Sequence, residues 1–335
     1  MEKKALSWIS VLIIFGVLIY FLNKIGLKEI FDLIKKANLF FLSLSFLFMF
    51  CMFFLWNYSW VLALETKLKR KISSFSTLPL YFIGTFFNDL TPGAKVGGEP
   101  FRAYYASRKF KIKKSTCLAT VMFQKGLTYA VHFAFVLISL FLLVYFFSFS
   151  EMENIILFTL SLFSFLVLII VAAYFSRKKI ENLIDYFSFT HTFFGNRFKN
   201  KKEFSSYFKR RYRNFCFHIK SLVKNRKLLV YVLLLSLLSK VFFYLSSYLI
   251  FLSLNIEFPF LFIIIGMSLM LFFEDLSGLP GGFGFSEGAL ILIYNLLGLR
   301  AIEAASVTLL SRGVYYFHTL VLGAMSFLYL KFKYK

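Results

Sequence analysis

The chain has 335 residues, 59% of them hydrophobic and 49 of them phenylalanine, with a mean hydropathy of +0.73. That composition excludes a soluble globular protein, and apolar runs of about 17 to 25 residues without strict alternation predict membrane-spanning helices rather than barrel strands. The formal charge of +23 is then no nucleic-acid footprint, because in such a protein surplus Lys and Arg mark cytoplasmic loops and attract anionic headgroups.

In chain order, Lys3 and Lys4 precede an apolar run over 6–22. It resembles a signal peptide but has no small-x-small cleavage site and is long enough to span, so a retained first helix is expected. Residues 24–36 place Ile25, Ile30, Leu33 and Ile34 for a short amphipathic helix on the membrane, and a second span is expected over 39–62. Lys67, Lys69, Arg70 and Lys71 then mark the inside. The apolar run 76–101 is interrupted at Pro92-Gly93 and followed by six Lys and Arg without an acid between Arg102 and Lys114. A segment with inside signals at both ends cannot cross once, so it reads as a re-entrant hairpin.

A long helix over 115–147 carries Lys125 and ends in an outside turn without basic residues. A span over 155–175 returns to the basic segment 177–227, which holds 15 Lys and Arg against three acids. There Phe204, Phe208, Tyr212, Phe215, Ile219 and Leu222 recur at helical spacing opposite Lys209, Arg210, Arg213, Lys220 and Lys224, which predicts a basic amphipathic helix resting on the inner leaflet. A span over 229–253, a second interrupted run over 260–298 and a last span over 303–330, ending in Lys331, Lys333 and Lys335, complete the chain. The expected architecture is all-α and polytopic, with about six full spans plus two re-entrant broken-helix hairpins and both termini cytoplasmic at the cell membrane. The lysines of 24–36, which this scheme puts outside, are its one exception.

The two interruptions echo each other. Thr91-Pro92-Gly93-Ala94-Lys95-Val96-Gly97-Gly98-Glu99-Pro100 is answered by Leu279-Pro280-Gly281-Gly282-Phe283-Gly284-Phe285-Ser286-Glu287-Gly288, with a glutamate seven residues after each proline. Upstream, Asn88-Asp89 matches Glu274-Asp275. Downstream, Lys125 and Tyr129 match Arg312 and Tyr316, and His132 and His318 follow. This predicts an internal repeat, with halves at about 76–147 and 260–330 in a single membrane domain. Three full spans lie between the copies, so the copies are inverted, as in many transporters whose sites lie between the repeats.

The chemistry expected of the motifs follows from their depth. Pro92 and Pro280 break helices, while Gly93, Gly97, Gly98, Gly281, Gly282 and Gly284 permit close approach and positive φ. The half-helices near Glu99 and Glu287 present N-terminal N–H groups suited to phosphate. Intramembrane charges cost about 2.5–3.5 kcal/mol each on insertion scales and so need partners or a wet cavity. Two readings stay open. Glu99 with Lys125, and Glu287 with Arg312, are neutralising pairs that hold the hairpins; or Asp89, Glu99, Glu274, Asp275 and Glu287 share a polar cavity in which Lys95, Arg102, Lys125 or Arg312 meets a headgroup. His132 and His318 fit packed polar residues better than proton relays. No Ser/His/Asp order, metal-ligand spacing or nucleotide loop is present, and Cys51, Cys117 and Cys216 are far apart. No catalytic residue, metal or cofactor is therefore expected.

Pro92 to Arg102 resembles the P-x-x-x-G-E-x-x-R region of the lysylphosphatidylglycerol synthase transmembrane, flippase-like family. Leu279 to Glu287 with Arg312 is similar to that family's second motif, PGGxGxxE followed by an arginine in the last helix. The resemblance covers essentially the whole chain, with Lys95 and the additional Gly97 as small departures. Its larger members make and translocate aminoacylated phosphatidylglycerol, or act on dolichol-linked sugars, with the chemistry in a separate soluble domain that this sequence does not contain. The resemblance therefore implies translocation without synthase activity. The leading expectation is a lipid translocase for phospholipid or polyprenyl-phosphate-linked headgroups, its partners being membrane lipids with anionic or phosphate headgroups. The alternatives are a membrane subunit that docks a separate glycosyl- or aminoacyl-transferase through 177–227, and an intramembrane enzyme acting on lipid phosphates.

Overall fold

The computed structural model describes residues 23, 25–92, 97–147, 186 and 200–334. The expected spans at 6–22 and 155–175, and Gly93 and Lys95 of the first motif, lie outside the described residues. Among the described residues the protein is all-helical. Its helices are α1 (Leu27–Lys35), α2 (Leu39–Leu68), α3 (Ser74–Leu90), α4 (Glu99–Phe110), α5 (Lys114–Phe147), α6 (Lys201–Val223), α7 (Arg226–Ser253), α8 (Phe260–Leu276), α9 (Phe285–Leu296), α10 (Ala301–Tyr316) and α11 (Leu322–Lys333). Four stretches among them are long and apolar enough to cross a membrane: α2, Lys114–Leu143 of α5, α7, and Ala301–Lys333, which joins α10 to α11 through a π turn. These match four of the expected spans, and the protein is a multi-pass membrane protein.

Lipid cannot drive apolar helices together, so close packing and polar contacts between them hold the bundle. The largest interface, α2 on α7, has serines at its crossing. Ser45 Oγ donates to Ser246 O and Ser246 Oγ to Ser45 O, both at 2.9 Å. Such interhelical bonds average about 0.6 kcal/mol each in membranes, and the small side chains let the backbones approach. At the far end of α2, Trp60 Nε1 donates to Thr120 Oγ1 of α5 at 3.1 Å. Tyr244 on α7 and Ser268 on α8 pair through their hydroxyls at 2.7 Å. His318 is a packed polar residue, its Nδ1–H donating to Val314 O at 2.8 Å while the ring stacks on Phe53.

The two amphipathic predictions both correspond to helices. α1 buries Ile30 and packs against α10. α6 turns its apolar stripe onto the protein itself: Phe204 and Leu222 are buried, α5 lies alongside, and Leu222 joins Ala63, Phe123, Leu228 and Val232 in a satellite core. Arg210, Arg213, Lys220 and Lys224 stay exposed, whereas Lys209, expected among them, is half-buried.

Two parts of the chain share one plan. α3 has 17 residues and α4 has 12, separated by residues 91–98; α8 has 17 and α9 has 12, separated by residues 277–284. Each pair packs helix against helix, and each is followed after a short turn by a membrane-length helix, α5 or α10–α11. The Pro280–Gly282 turn of the second pair packs on α3 of the first, so the two motifs meet.

Candidate functional site

The first motif folds back on one asparagine. Gly98 N–H donates to Asn88 Oδ1 at 2.7 Å, and Asn88 Nδ2 donates to Glu99 Oε1 at 3.1 Å. The fit demands glycine at 98, because a Cβ there would lie 1.7 Å from the carbonyl oxygen of Gly84 in α3. Glu99 thereby opens α4, where the helix dipole favours a negative charge, and Lys125 Nζ of α5 meets Glu99 Oε1 at 2.6 Å.

One turn further, the Arg102 guanidinium lies 3.9 Å from the centre of the Trp60 ring and 4.2 Å from that of Tyr81. Both contacts are of cation–π type. Its Nη1 donates to Gln124 Oε1 at 3.3 Å, but its buried Nε and Nη2 have no hydrogen-bond partner among the described residues, and neither has Glu99 Oε2. Polar contacts continue across the bundle. Gln124 Nε2 donates to Thr128 Oγ1 at 3.0 Å, Thr128 Oγ1 lies 3.1 Å from Ser236 Oγ, and Lys240 Nζ lies 3.3 Å from His132 Nδ1. Tyr129 OH donates to Asp275 Oδ1 of α8 at 3.2 Å.

These groups surround a cavity of about 110 Å³, whose wall carries Arg102, Lys125 and Lys240 against Asp89, Glu99 and Asp275. A space of that size with these polar groups on its wall has room for several waters. It lies far from the helix ends: Lys125 stands eleven residues into α5 and Lys240 fourteen into α7, roughly 16 and 21 Å along their axes.

The second motif has the same plan but is closed. Gly281, Gly282 and Gly284 have φ of 56°, 64° and 81°, values that favour glycine, and a Cβ on Gly282 would strike Glu274 Cγ at 2.5 Å. The turn delivers Glu287 to Arg312, whose Nε donates to Glu287 Oε1 at 2.7 Å. Arg312 Nη2 donates to Glu274 Oε1 at 3.0 Å, to Gly281 O and Ser286 Oγ at 3.1 Å, and to Tyr316 OH. Tyr316 OH in turn donates to Glu287 Oε1 at 2.5 Å, and Gly284 N–H to Glu287 Oε2 at 2.6 Å. The side chains of Arg312, Glu274 and Glu287 are at most 5% exposed.

Of the residues singled out from sequence, Asn88, Asp89, Glu99, Arg102, Lys125, Tyr129 and Asp275 come together on the cavity wall. Glu274, Gly281, Glu287, Arg312 and Tyr316 come together in the closed cluster, with Gly282 and Gly284 shaping its turn. Both glutamate–cation pairs of the neutralising reading form. The sequence reading missed Lys240, although a lone charge in the apolar run 229–253 is itself a signal. It also missed Trp60, Tyr81 and Gln124, which nothing in their local sequence connects to Arg102.

The comparisons place the chain among membrane proteins. Residues 7–323 match the model of the lysylphosphatidylglycerol synthase TM region. A UPF0104 membrane protein of Methanocaldococcus jannaschii is 28% identical over 96% of this chain and 93% of its own. A second, from Methanothermobacter thermautotrophicus, is 25% identical over 96% of this chain and 95% of its own, and a third, from Pyrococcus horikoshii, is 24% identical over 90% of each. No solved structure matches the chain. With the family model covering nearly all of it, the chain belongs to the family of the lysylphosphatidylglycerol synthase TM region.

Proposed function

We propose that the protein is a lipid translocase, without catalytic residues of its own, that passes a phosphate-bearing headgroup between leaflets of the cell membrane. The carrying observation is a set of unsatisfied groups on residues that line the cavity: two guanidinium nitrogens of Arg102 and one carboxylate oxygen of Glu99 are fully buried without a hydrogen-bond partner among the described residues. Unmet polar groups in a low-dielectric interior cost about 1–3 kcal/mol each, a cost that a phosphate on Arg102 and a headgroup hydroxyl or amine on Glu99 would offset. Lys125 and Lys240 supply further positive charge on the same cavity wall. Acyl chains remain in lipid while the polar group uses the cavity.

In this reading α3–α4 and α8–α9 are the re-entrant hairpins of an inverted repeat, entering from opposite faces. Their matched lengths support it, as does the meeting of the two motifs in the bundle. The closed cluster around Arg312 then serves as the fixed half against which the open half around Arg102 works. The termini lie on the cytoplasmic side, where the positive-inside rule places the blocks around Lys69 and Lys331.

The exposed arginines and lysines of α6 favour a second reading, a subunit that docks a separate transferase. Reconstitution separates the two. Pure protein in liposomes should accelerate exchange of labelled anionic lipid, and Arg102→Ala, folded by thermal stability, should lose at least tenfold. Wild type no faster than empty liposomes across lipid classes would dismiss translocation and leave the docking role.

A further inference from the structure

A second cavity, of about 470 Å³ and open to one side, lies between α6 and the turn joining α4 to α5. Lys113, Lys114, Arg210 and Arg211 line it and are exposed. Ser107 and Ser115, also on the wall, are buried, and Tyr207 and Asn214 add neutral hydrogen-bonding groups. No carboxylate is among the described residues of the lining. This distinguishes it from the central cavity, where cations and acids are equal in number. The local field is correspondingly positive: His218, paired with Thr116 at 3.0 Å, is held below the ordinary histidine value by burial and then by the charges of Lys67 and Lys113.

We propose that this cavity binds a phosphate group carrying more than one negative charge, such as a diphosphate or a phosphomonoester, at the membrane surface. Four cations with the Ser115 hydroxyl and the Asn214 amide beside them suit an anion with several oxygens better than a single carboxylate, and the volume falls in the range of small-ligand sites, about 300–1,000 Å³. Arg211 is oriented by Tyr207, whose ring centre lies 4.8 Å away, and Lys114 by Tyr104 at 4.5 Å. Ser115 stands at the start of a membrane-length helix, so the cavity sits where either a lipid headgroup or a soluble phosphate compound can reach it. The proposal is independent of translocation through the central cavity.

The test is hydrogen exchange over 201–223 on the full chain, with two probes. Sodium pyrophosphate is titrated in detergent against sulfate at matched ionic strength. Nanodiscs of phosphatidylglycerol with a phosphorylated lipid headgroup added are compared with nanodiscs of the same phosphatidylglycerol content without it. Protection by pyrophosphate beyond sulfate identifies a soluble ligand, and protection only by the phosphorylated lipid identifies a membrane ligand. In either case Lys113→Ala with Arg210→Ala should weaken the apparent affinity at least tenfold, while Lys220→Ala with Lys224→Ala, at the C-terminal end of α6 and outside the cavity lining, changes it less than twofold. Equal losses in the two double variants would mean a diffuse basic surface and overturn the site. Sulfate matching pyrophosphate with no lipid effect would overturn it too, from wild type alone.

Discussion

Lys125 and Arg312 stand at the same register of two different helices: each is eleven residues past its helix start, and each ion-pairs with a glutamate of the short helix before it, at 2.6 and 2.7 Å. The equivalence stops there. Lys125 keeps 17% of its side-chain surface exposed and lines the cavity, whereas Arg312 is 3% exposed and bonds to two carboxylates, a carbonyl and two hydroxyls. One motif lines a cavity and the other is closed by its own hydrogen bonds.

That asymmetry predicts different losses at equivalent positions. Arg312→Ala leaves Glu274 and Glu287 buried without their cation, a situation that typically costs about 3–5 kcal/mol. Its thermal unfolding in detergent should fall sharply and its yield with it. Lys125→Met removes one cation from one buried carboxylate, and Glu99 keeps the Asn88 amide on Oε1 and the charge of Arg102 nearby, so its unfolding should shift less while lipid exchange drops at least tenfold. Equal destabilisation of both variants would contradict the distinction.

Glycine positions separate by contact rather than by conformation. Gly98 has an ordinary φ of −84°, yet a Cβ there runs into backbone of α3 that cannot swing away. Gly126, inside α5, has nothing within 4 Å of an added Cβ. Gly98→Ala should therefore destabilise by about 3 kcal/mol, the upper end of what overpacked sites typically cost. Gly126→Ala should be neutral or stabilising by up to about 1 kcal/mol. Thermal denaturation of the two variants side by side checks both.

Much of this was legible in the sequence because lipid imposes simple rules. Apolar length located α2, α5, α7 and the last helix, and the Pro-Gly pairs located both breaks, since no other residues interrupt a helix so abruptly. Helix spacing placed the stripe of α6. What stayed hidden was pairing through space. Arg102 stood out in the sequence as a candidate headgroup contact at the end of the first motif, but nothing in its sequence neighbourhood names its partners. Its actual surroundings, Trp60 and Tyr81, come from α2 and α3. Nor could spacing tell which motif is open, because Glu274 and Asp275 are adjacent in sequence, yet Glu274 points to Arg312 and Asp275 to Tyr129.

The seat of Arg102 predicts that charge alone is insufficient there. A planar guanidinium stacks on aromatic rings and offers several directed donors, whereas an ammonium is a compact point charge. Arg102→Lys should therefore lose most of the lipid exchange that Arg102→Ala loses while keeping near-normal thermal stability. Lys240→Met should also slow anionic lipids, and neutral lipids less. Full activity of Arg102→Lys would place the function of this residue in its charge and not in the Trp60–Tyr81 seat.

Docking of α6 should depend on pH through His218. Its Nε2 lies 3.0 Å from Thr116 Oγ1, and burial, followed by the charges of Lys67 and Lys113, holds its pKa below the ordinary value. The docked helix thus favours neutral imidazole, and the undocked state binds the proton more readily. Stability rises with pH wherever the open state holds more protons. The contact is at full strength above about pH 6.5, the unperturbed histidine value, and weakens as pH falls through that value towards the lower docked one. Hydrogen exchange over 201–223 should accordingly speed up between pH 7 and pH 5, beyond its intrinsic dependence. His218→Gln, which keeps a hydrogen-bonding side chain but cannot titrate, should flatten the profile. An unchanged profile in that variant would assign the pH response to another group.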